Sequence, residues 1–133
     1  MNNGFSVLFT VPKGITLILD NNITLDGNNR KYRVVRIEDG AFVMKNGATV
    51  RGSQDGGVIV VADSFTMNGG TISGNSDTYG GGVYVWNATF TMSGGIISGN
   101  SAYDGGGVYV SNRSTRSFPS ASNPGENSAH WYL

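Results

Sequence analysis

The residues whose types could do chemistry are carboxylates and arginines in the first half of the chain. Carboxylates can hold a calcium ion and a basic side chain can remove a proton, and a lyase uses both to cleave an acidic polysaccharide. The candidate acids are Asp20, Asp26, Glu38, Asp39, Asp55 and Asp63, and the candidate bases are Arg30, Arg33 and Arg36. No three acids recur at the spacing of the internal repeat. Solvated surface charge is therefore the preferred interpretation, and a polysaccharide lyase is the enzyme alternative.

Metal and nucleophile chemistry has little support in the remaining residues. The single histidine is His130, and the chain has no cysteine, so the ligands of a typical zinc site are missing. No nucleophile motif surrounds His130. We expect no catalytic residue, no metal and no cofactor, and hence no enzyme.

Composition excludes two classes of partner. Charged residues make up 14% of the chain and the formal net charge is zero, whereas nucleic-acid binding needs a concentrated basic surface. There is no polybasic segment for an anionic membrane, and no apolar run approaches the roughly 18 residues of a spanning helix. We expect neither a nucleic-acid partner nor a membrane span.

The chain repeats itself with a step of 25 residues. FTMNGGTISGN at 65–75 recurs as FTMSGGIISGN at 90–100, and 17 of 25 positions agree between 65–89 and 90–114. The repeat extends upstream in weaker form, with a spacing of 23 between Phe42 and Phe65 where one turn changes length. A fixed period of this size is typical of solenoids, in which each unit buries its apolar face against the next copy.

Each unit contains three short apolar segments, exemplified by FTM, TIS and VYV, separated by glycine and asparagine. Alternation of apolar and polar residues indicates strands with one buried face, and glycine and asparagine tolerate the positive φ of tight turns. The prediction is an all-β parallel β-helix of about five coils of roughly 25 residues, covering residues 1–112.

Equivalent residues of successive coils should stack in columns inside the tube, about 4.8 Å apart. The predicted columns are Leu17, Phe42, Phe65, Phe90; Leu19, Met44, Met67, Met92; Leu25, Val50, Ile72, Ile97; Val58, Val83, Val108; and Val35, Val60, Val85, Val110. Asn75 and Asn100 follow the third column, and Asn28 and Ser53 are assigned the matching upstream positions. A structural role at a turn is predicted for both asparagines, since stacked amides can bond along the axis.

Two short motifs recur in the repeats: residues 65–68 read FTMN, and residues 56–59 read GGVI, with related sequences at 81–84 and 106–109. They match FxxN and are close to GGAI, and in these motifs the repeats resemble right-handed parallel β-helix proteins of bacterial surfaces, including adhesin-like and polymorphic outer-membrane-type proteins. The second copy departs from FxxN, with Ser93 in place of asparagine. Residues 15–112 carry the resemblance. It implies a right-handed, secreted or surface-displayed bacterial shaft and points to no particular ligand.

The VYV segments predict an apolar outer face. Their middle residues should point away from the core, in a column of Val34, Ile59, Tyr84 and Tyr109, beside a second column of Arg36, Val61, Trp86 and Ser111. Contiguous exposed apolar surface marks a contact site, with aromatic residues as the usual anchors. The candidate binding residues are Ile59, Val61, Tyr84, Trp86 and Tyr109. A carbohydrate could stack on this face; the alternative is that the chain covers it.

The ends of the tube are the remaining candidates for contacts. Residues 113–133 form a non-repeating tail whose Phe118, Trp131 or Tyr132 is expected to cover the apolar face or the last coil. Alternation of Phe5, Val7, Phe9 and Val11 predicts a first strand open to pairing. We therefore predict a structural or adhesive surface module that self-associates end to end or through the VYV face. The competing explanation is that a longer protein covers these edges.

Ice binding through a flat threonine-rich face is a further alternative. Two pairs should stack outward, Thr66 with Thr91 and Thr24 with Thr49. Ile96 occupies the position equivalent to Thr71 in the next repeat. A regular threonine column on every coil is missing from this assignment, so ice binding ranks below adhesion.

Overall fold

The computed structural model describes residues 6–111 and 115–117, and the described part contains no helix. Its strands are β1 (Val7–Val11), β2 (Thr16–Leu19), β3 (Thr24–Arg30), β4 (Arg33–Ile37), β5 (Gly40–Met44), β6 (Thr49–Ser53), β7 (Val58–Val60), β8 (Asp63–Met67), β9 (Thr71–Ser73), β10 (Ser76–Tyr79), β11 (Val83–Val85), β12 (Thr89–Met92), β13 (Ile96–Ser98), β14 (Ser101–Asp104), β15 (Val108–Val110) and β16 (Thr115–Ser117). Short strands separated by glycine and asparagine turns follow the sequence pattern closely.

The strands form parallel sheets that run along a solenoid. Sheet A has the order β1-β4-β7-β11-β15, sheet B has β2-β5-β8-β12-β16, and sheet C has β3-β6-β9-β13. Each strand pairs in parallel with its equivalent one coil away. The predicted parallel β-helix is confirmed. It makes about four turns, because the fifth coil is only begun by β15 and β16, so the expected count of five was slightly high.

The core is a set of ladders of identical or similar side chains. Phe42, Phe65 and Phe90 stack with ring centroids 4.9 and 5.0 Å apart and an interplanar angle of 22°. The methionine column and the Leu25-Val50-Ile72-Ile97 column also pair as predicted. All ten core positions of the two strong repeats are buried: Phe65, Met67, Ile72, Val83, Val85, Phe90, Met92, Ile97, Val108 and Val110.

The predicted register of β4 was wrong by two residues. Val35 pairs with Val58 and Ile37 pairs with Val60, so Val35 does not belong to the column of Val60. The chain is two residues shorter than the standard step in this coil, and the shortening that separates Phe42 from Phe65 applies to β4 and β7 as well. Val34, assigned to the outer face, is fully buried.

The upstream asparagine position was also wrong. A register shift between Asp26 and Arg30 makes Arg30 the partner of Ser53. Asn28 is exposed and has a φ of 54°, so it lies in a local turn instead of stacking on Ser53. The extra residues of the first coil are accommodated by this irregularity in β3.

Two coils contain a fourth strand that the sequence pattern does not predict. β10 and β14 pair in parallel as a two-stranded sheet D, between the sheet C and sheet A strands of the last two full coils. Their sequences, SDTY and SAYD, are polar, and every residue in them is half-buried or exposed, so they lack the buried apolar face by which a strand is predicted. Sheet D places Asp77 and Tyr79 beside sheet A.

The first coil lies at the edge of all three main sheets and is only partly covered. Half-buried Leu17 and Leu25 pack against the core cluster. Five of its large apolar side chains are between 41% and 52% exposed: Leu8, Phe9, Ile15, Ile18 and Ile23. Among residues 6–111 and 115–117, β1 pairs only with β4, so within this part of the chain its other side is a sheet edge.

The C-terminal tail is largely outside the described residues. β16 pairs with β12 and extends sheet B by one strand, within the segment predicted as the tail. The expected contacts of Phe118, Trp131 and Tyr132, the position of His130 and the conformation of Phe5 all lie outside the described residues, and the domain boundary at 112 stays a prediction.

Candidate binding face on sheet A

Four aromatic side chains cluster on the outside of sheet A and sheet D. The ring centroid of Tyr109 lies 5.2 Å from that of Tyr84 and 5.2 Å from that of Tyr79. Tyr84 lies 6.3 Å from Trp86 and 6.5 Å from Tyr79. These four residues are called the aromatic patch. Their edge-to-face and tilted geometry is the one that aromatic quadrupoles favour.

The alternation of the VYV strands creates this patch. Val83 and Val85 point into the core and are fully buried, so Tyr84 must point outward. Register then places Tyr109 directly on Tyr84. Trp86 follows at the end of β11 and is 53% exposed. Tyr79 reaches the patch from sheet D, which is why the sequence reading missed it.

The predicted apolar face is apolar over only part of its length. Ile59 precedes Tyr84 in the outer column and is half-buried, as is Val61 beside it. The next position is Arg36, which takes the place predicted for Val34, and Thr10 follows it. The outer face thus changes from aromatic through aliphatic to charged residues, because the register of β4 differs from the predicted one.

Tyr84 is a half-buried member of the patch. Partial burial raises the pKa of Tyr84 above its ordinary value, and Tyr109 and Tyr79 act in the same direction. The phenol therefore stays protonated through and beyond the neutral range. A neutral phenol can both donate and accept a hydrogen bond.

An ion pair joins β4 of sheet A to β10 of sheet D, close enough to Tyr84 for its charges to act on that phenol. Arg33 Nη2 donates to Asp77 Oδ2 at 2.7 Å, and both side chains are less than 15% exposed (14% and 13%). The guanidinium lies over Gly56, where an added Cβ would come within 2.6 Å of Arg33 Nη1 and 2.8 Å of Asp77 Oδ2. Arg33 Nη1 is enclosed and has no hydrogen-bond partner within the described chain. The hydrogen bond from Nη2 to Asp77 is therefore the contact that holds this guanidinium in place.

A cleft of about 320 Å³ lies at the charged end of the face, between β1 and β4. We call it the β1–β4 cleft; its lining residues are Ser6, Val7, Thr10, Arg33, Arg36, Glu38 and Asp55. Arg36 Nε donates to Glu38 Oε1 at 3.2 Å. Partial burial raises the pKa of Asp55 and nearby Asp77 adds to the increase, while Arg33 and Lys31 oppose it.

The residues predicted for lyase chemistry are divided among separate places. Arg33, Arg36, Glu38 and Asp55 meet in the β1–β4 cleft. Asp20 lines another cleft, of about 440 Å³, next to Lys45.

The other lyase candidates take no part in either cleft. Asp26 pairs with Arg51 at 3.0 Å and Asp39 with Lys13 at 3.6 Å. Asp63 and Arg30 are exposed. Within residues 6–111, no three acidic or histidine side chains lie close enough to hold a metal ion.

The two predicted turn asparagines form a ladder with Ser53. Asn75 is 1% exposed, accepts from the Ser53 N–H at 3.1 Å and donates to Asn100 Oδ1 at 3.0 Å. Asn100 Nδ2 donates to the Ile72 carbonyl at 2.9 Å, and Ser53 Oγ donates to the Tyr32 carbonyl. These contacts satisfy backbone groups at the turn, as the predicted structural role of the asparagines requires.

The threonine face is longer than the sequence reading assigned. Thr24, Thr49 and Thr71 stack in one column of sheet C because the shortened coil brings Thr71 onto Thr49. Ile96 ends the column. The neighbouring column carries the Asp26–Arg51 ion pair, so the face alternates hydroxyl with charge and lacks a uniform threonine lattice.

Comparisons with known proteins leave the family open. No family model matches the chain, and neither curated proteins nor solved structures give a significant match. In the described part of the chain, no helix has the length and apolarity needed to cross a membrane. The parallel solenoid rests on its own geometry, and the bacterial-surface family suggested by the repeats stays a prediction.

Proposed function

We propose that this protein is a non-catalytic adhesive module of a bacterial surface, secreted or displayed, and that its aromatic patch binds a carbohydrate. The observation that supports the proposal is the contiguous cluster of Tyr79, Tyr84, Trp86 and Tyr109 on one outer face. Aromatic rings combine a large apolar surface with a polar tip, which suits a sugar ring that has an apolar face and hydroxyls at its rim.

The scaffold favours recognition without large rearrangement. Val83, Val85, Val108 and Val110 fix the two VYV strands in the core, and the rings above them support one another. A site whose side chains are already ordered loses less conformational entropy on binding. The patch also exposes apolar surface, with Trp86 at 53%, as expected of a contact site.

A glycan array tests the proposal, with product release followed on the same glycans. The expected result is saturable binding without turnover, and its loss in Trp86→Ala. Ile96→Ala is the matched control, because Ile96 is equally exposed at 55% but lies on sheet C. Unsaturated products from acidic glycans would favour the lyase alternative. Equal binding by Trp86→Ala and the wild type would refute the patch as the site.

A second proposed property is self-association through the first coil. Five of the most exposed large apolar side chains lie there, at 41% to 52% exposure, beside the edge of β1 that no other described strand pairs with. An unpaired strand edge can add a strand from another copy, and a contact that does not close produces a filament. The formal net charge of zero provides little repulsion against assembly.

A further inference from the structure

The β1–β4 cleft and the aromatic patch belong to one continuous surface. Register places Thr10, Arg36, Ile59 and Tyr84 in a single outward column of sheet A. Arg36 and Tyr84 are separated by two strand spacings, roughly 10 Å. An elongated ligand seated on the patch and lying across the strands would reach the cleft after passing Ile59.

The charges of the cleft do not favour an anion. Arg33 is neutralised by Asp77 at 2.7 Å and Arg36 by Glu38 at 3.2 Å. Asp55 remains as a carboxylate without an ion-pair partner among the described residues. Of the charged neighbours that act on it, Arg33 is the strongest but is already paired with Asp77, and exposed Lys31 is the weakest. A ligand carboxylate placed in the cleft would therefore meet Asp55 and Glu38 without a compensating free cation.

The hydrogen-bonding groups of the cleft suit hydroxyls. Asp55 accepts hydrogen bonds, Thr10 can donate and accept, and a guanidinium such as that of Arg36 carries five N–H donors. Arg36 uses Nε toward Glu38, and the Arg36 side chain is still 36% exposed. A sugar hydroxyl both donates and accepts, so it can satisfy a carboxylate and a guanidinium together.

We infer that the β1–β4 cleft is the polar subsite of an elongated binding site, and that it makes the protein select neutral oligosaccharides over acidic ones. This inference rests on the proposed function, since it extends the ligand of the aromatic patch. The patch supplies stacking, and the cleft supplies the hydroxyl contacts and the charge discrimination.

Calorimetric titration with hexasaccharides of defined charge tests the selectivity. The neutral probes are cellohexaose, mannohexaose and fully N-acetylated chitohexaose, and the acidic probe is hexagalacturonate. At least one neutral hexamer should bind about tenfold or more tighter than the acidic one, a difference of about 1.4 kcal/mol. Tighter binding of hexagalacturonate would overturn the inference.

Asp55→Asn tests the role of the cleft, and Asp39→Asn is its control, because Asp39 pairs with Lys13 and does not line the cleft. Asp55→Asn should weaken the best neutral hexamer by about tenfold, as expected for loss of a hydrogen bond to a charged acceptor, and should narrow the gap to the acidic hexamer. Asp39→Asn should change neither affinity. Thermal melts of both variants verify that they fold.

The outcomes separate the two proposals. If Asp55→Asn and Asp39→Asn bind the best neutral hexamer with the same affinity while Trp86→Ala loses binding, the aromatic patch is the site and the cleft inference is wrong. If Trp86→Ala binds as the wild type does, the proposed function fails first. If none of the hexamers binds at all, both fail.

Discussion

At the residue scale, the phenylalanine ladder is the part of the core most sensitive to truncation. Phe90 is fully buried and stacks on Phe65 at 5.0 Å. Phe90→Ala should lower the free energy of unfolding by about 3–5 kcal/mol, as large core truncations do. Thr91→Ala, which alters the adjacent half-buried, outward side chain, should stay within about 0.5 kcal/mol. Urea unfolding measures both, and equal midpoints would show that Phe90 is not a core residue.

The asparagine ladder makes a second prediction at this scale. Asn75→Ala would leave the Ser53 N–H without its acceptor in a buried turn, which costs about 1–3 kcal/mol per unsatisfied group. Asn46→Ala is the control, since Asn46 is exposed. We expect the Asn75 variant to unfold at clearly lower urea concentration than the control. Coincident curves would contradict a structural role for the ladder.

The carboxyl groups predict opposite pH dependences. The pKa of Asp55 is raised in the folded protein, so the folded state keeps that proton to higher pH, and stability falls as pH rises from about 3.8 through the folded pKa. The pKa of Asp26 is lowered, chiefly by the Asn28 N–H and then by Arg51. Its contribution is present above about pH 3.8 and is lost as pH falls through the folded pKa.

Variants isolate each effect in a pH series of urea unfolding. Relative to the wild type, Asp55→Asn should gain stability as pH rises from about 3.8 through the folded pKa of Asp55. Asp26→Asn should lose stability relative to the wild type as pH rises from the folded pKa of Asp26 to about 3.8. Differences that are independent of pH, or of reversed sign, would show that these carboxyls are not perturbed as described.

The residue types of the repeat predict most of the core but only part of the candidate binding site. Repeated Phe, Met, Ile and Val at a step of 25 residues specify inward columns, because burial follows the strand period. Nothing in SDTY indicates that Tyr79 joins Tyr84 and Tyr109. The Arg33–Asp77 pair joins residues that are 44 positions apart in the sequence, and no local sequence pattern predicts such a contact.

At the element scale, the turn before β7 explains why replacing Gly56 should be unusually destabilising. Gly56 has a φ of 86° and Gly14 a φ of 76°, so alanine at either position incurs left-handed strain of about 1–2 kcal/mol. Only Gly56 lies against the Arg33–Asp77 pair, whereas the space around Gly14 is open. Gly56→Ala should therefore destabilise the fold by at least about 1 kcal/mol more than Gly14→Ala, because the buried ion pair must shift. Equal losses in chemical denaturation would mean that the pair adjusts freely.

Element register shows where sequence reasoning reached its limit. The shortened step is visible between Phe42 and Phe65, and the predicted columns apply it to the strands of sheets B and C but not to β4 in sheet A. The same shortening moves Val35 onto Val58 and Thr71 onto Thr49. A β-strand slip by two keeps the inward face inward, so hydrophobic alternation alone could not detect the error.

At the scale of the whole molecule, the exposed first coil predicts association. Light scattering of the pure protein should show a mass that grows with concentration. Ile18→Lys should reduce this growth, because Ile18 is 52% exposed on the edge strand β2. Thr66→Lys, in the same outward column but two strands inward, should not. A monodisperse monomer at high concentration would contradict the prediction.

The central claim is that Trp86 and its aromatic neighbours contact the ligand, and fluorescence tests it directly. The chain has two tryptophans, Trp86 and Trp131, so in Trp131→Phe the emission comes from Trp86 alone. Titration with the neutral hexamer that calorimetry identifies should produce a saturable change in this emission, with the same dissociation constant as the calorimetric one. Binding heat without any change in Trp86 emission would contradict the account.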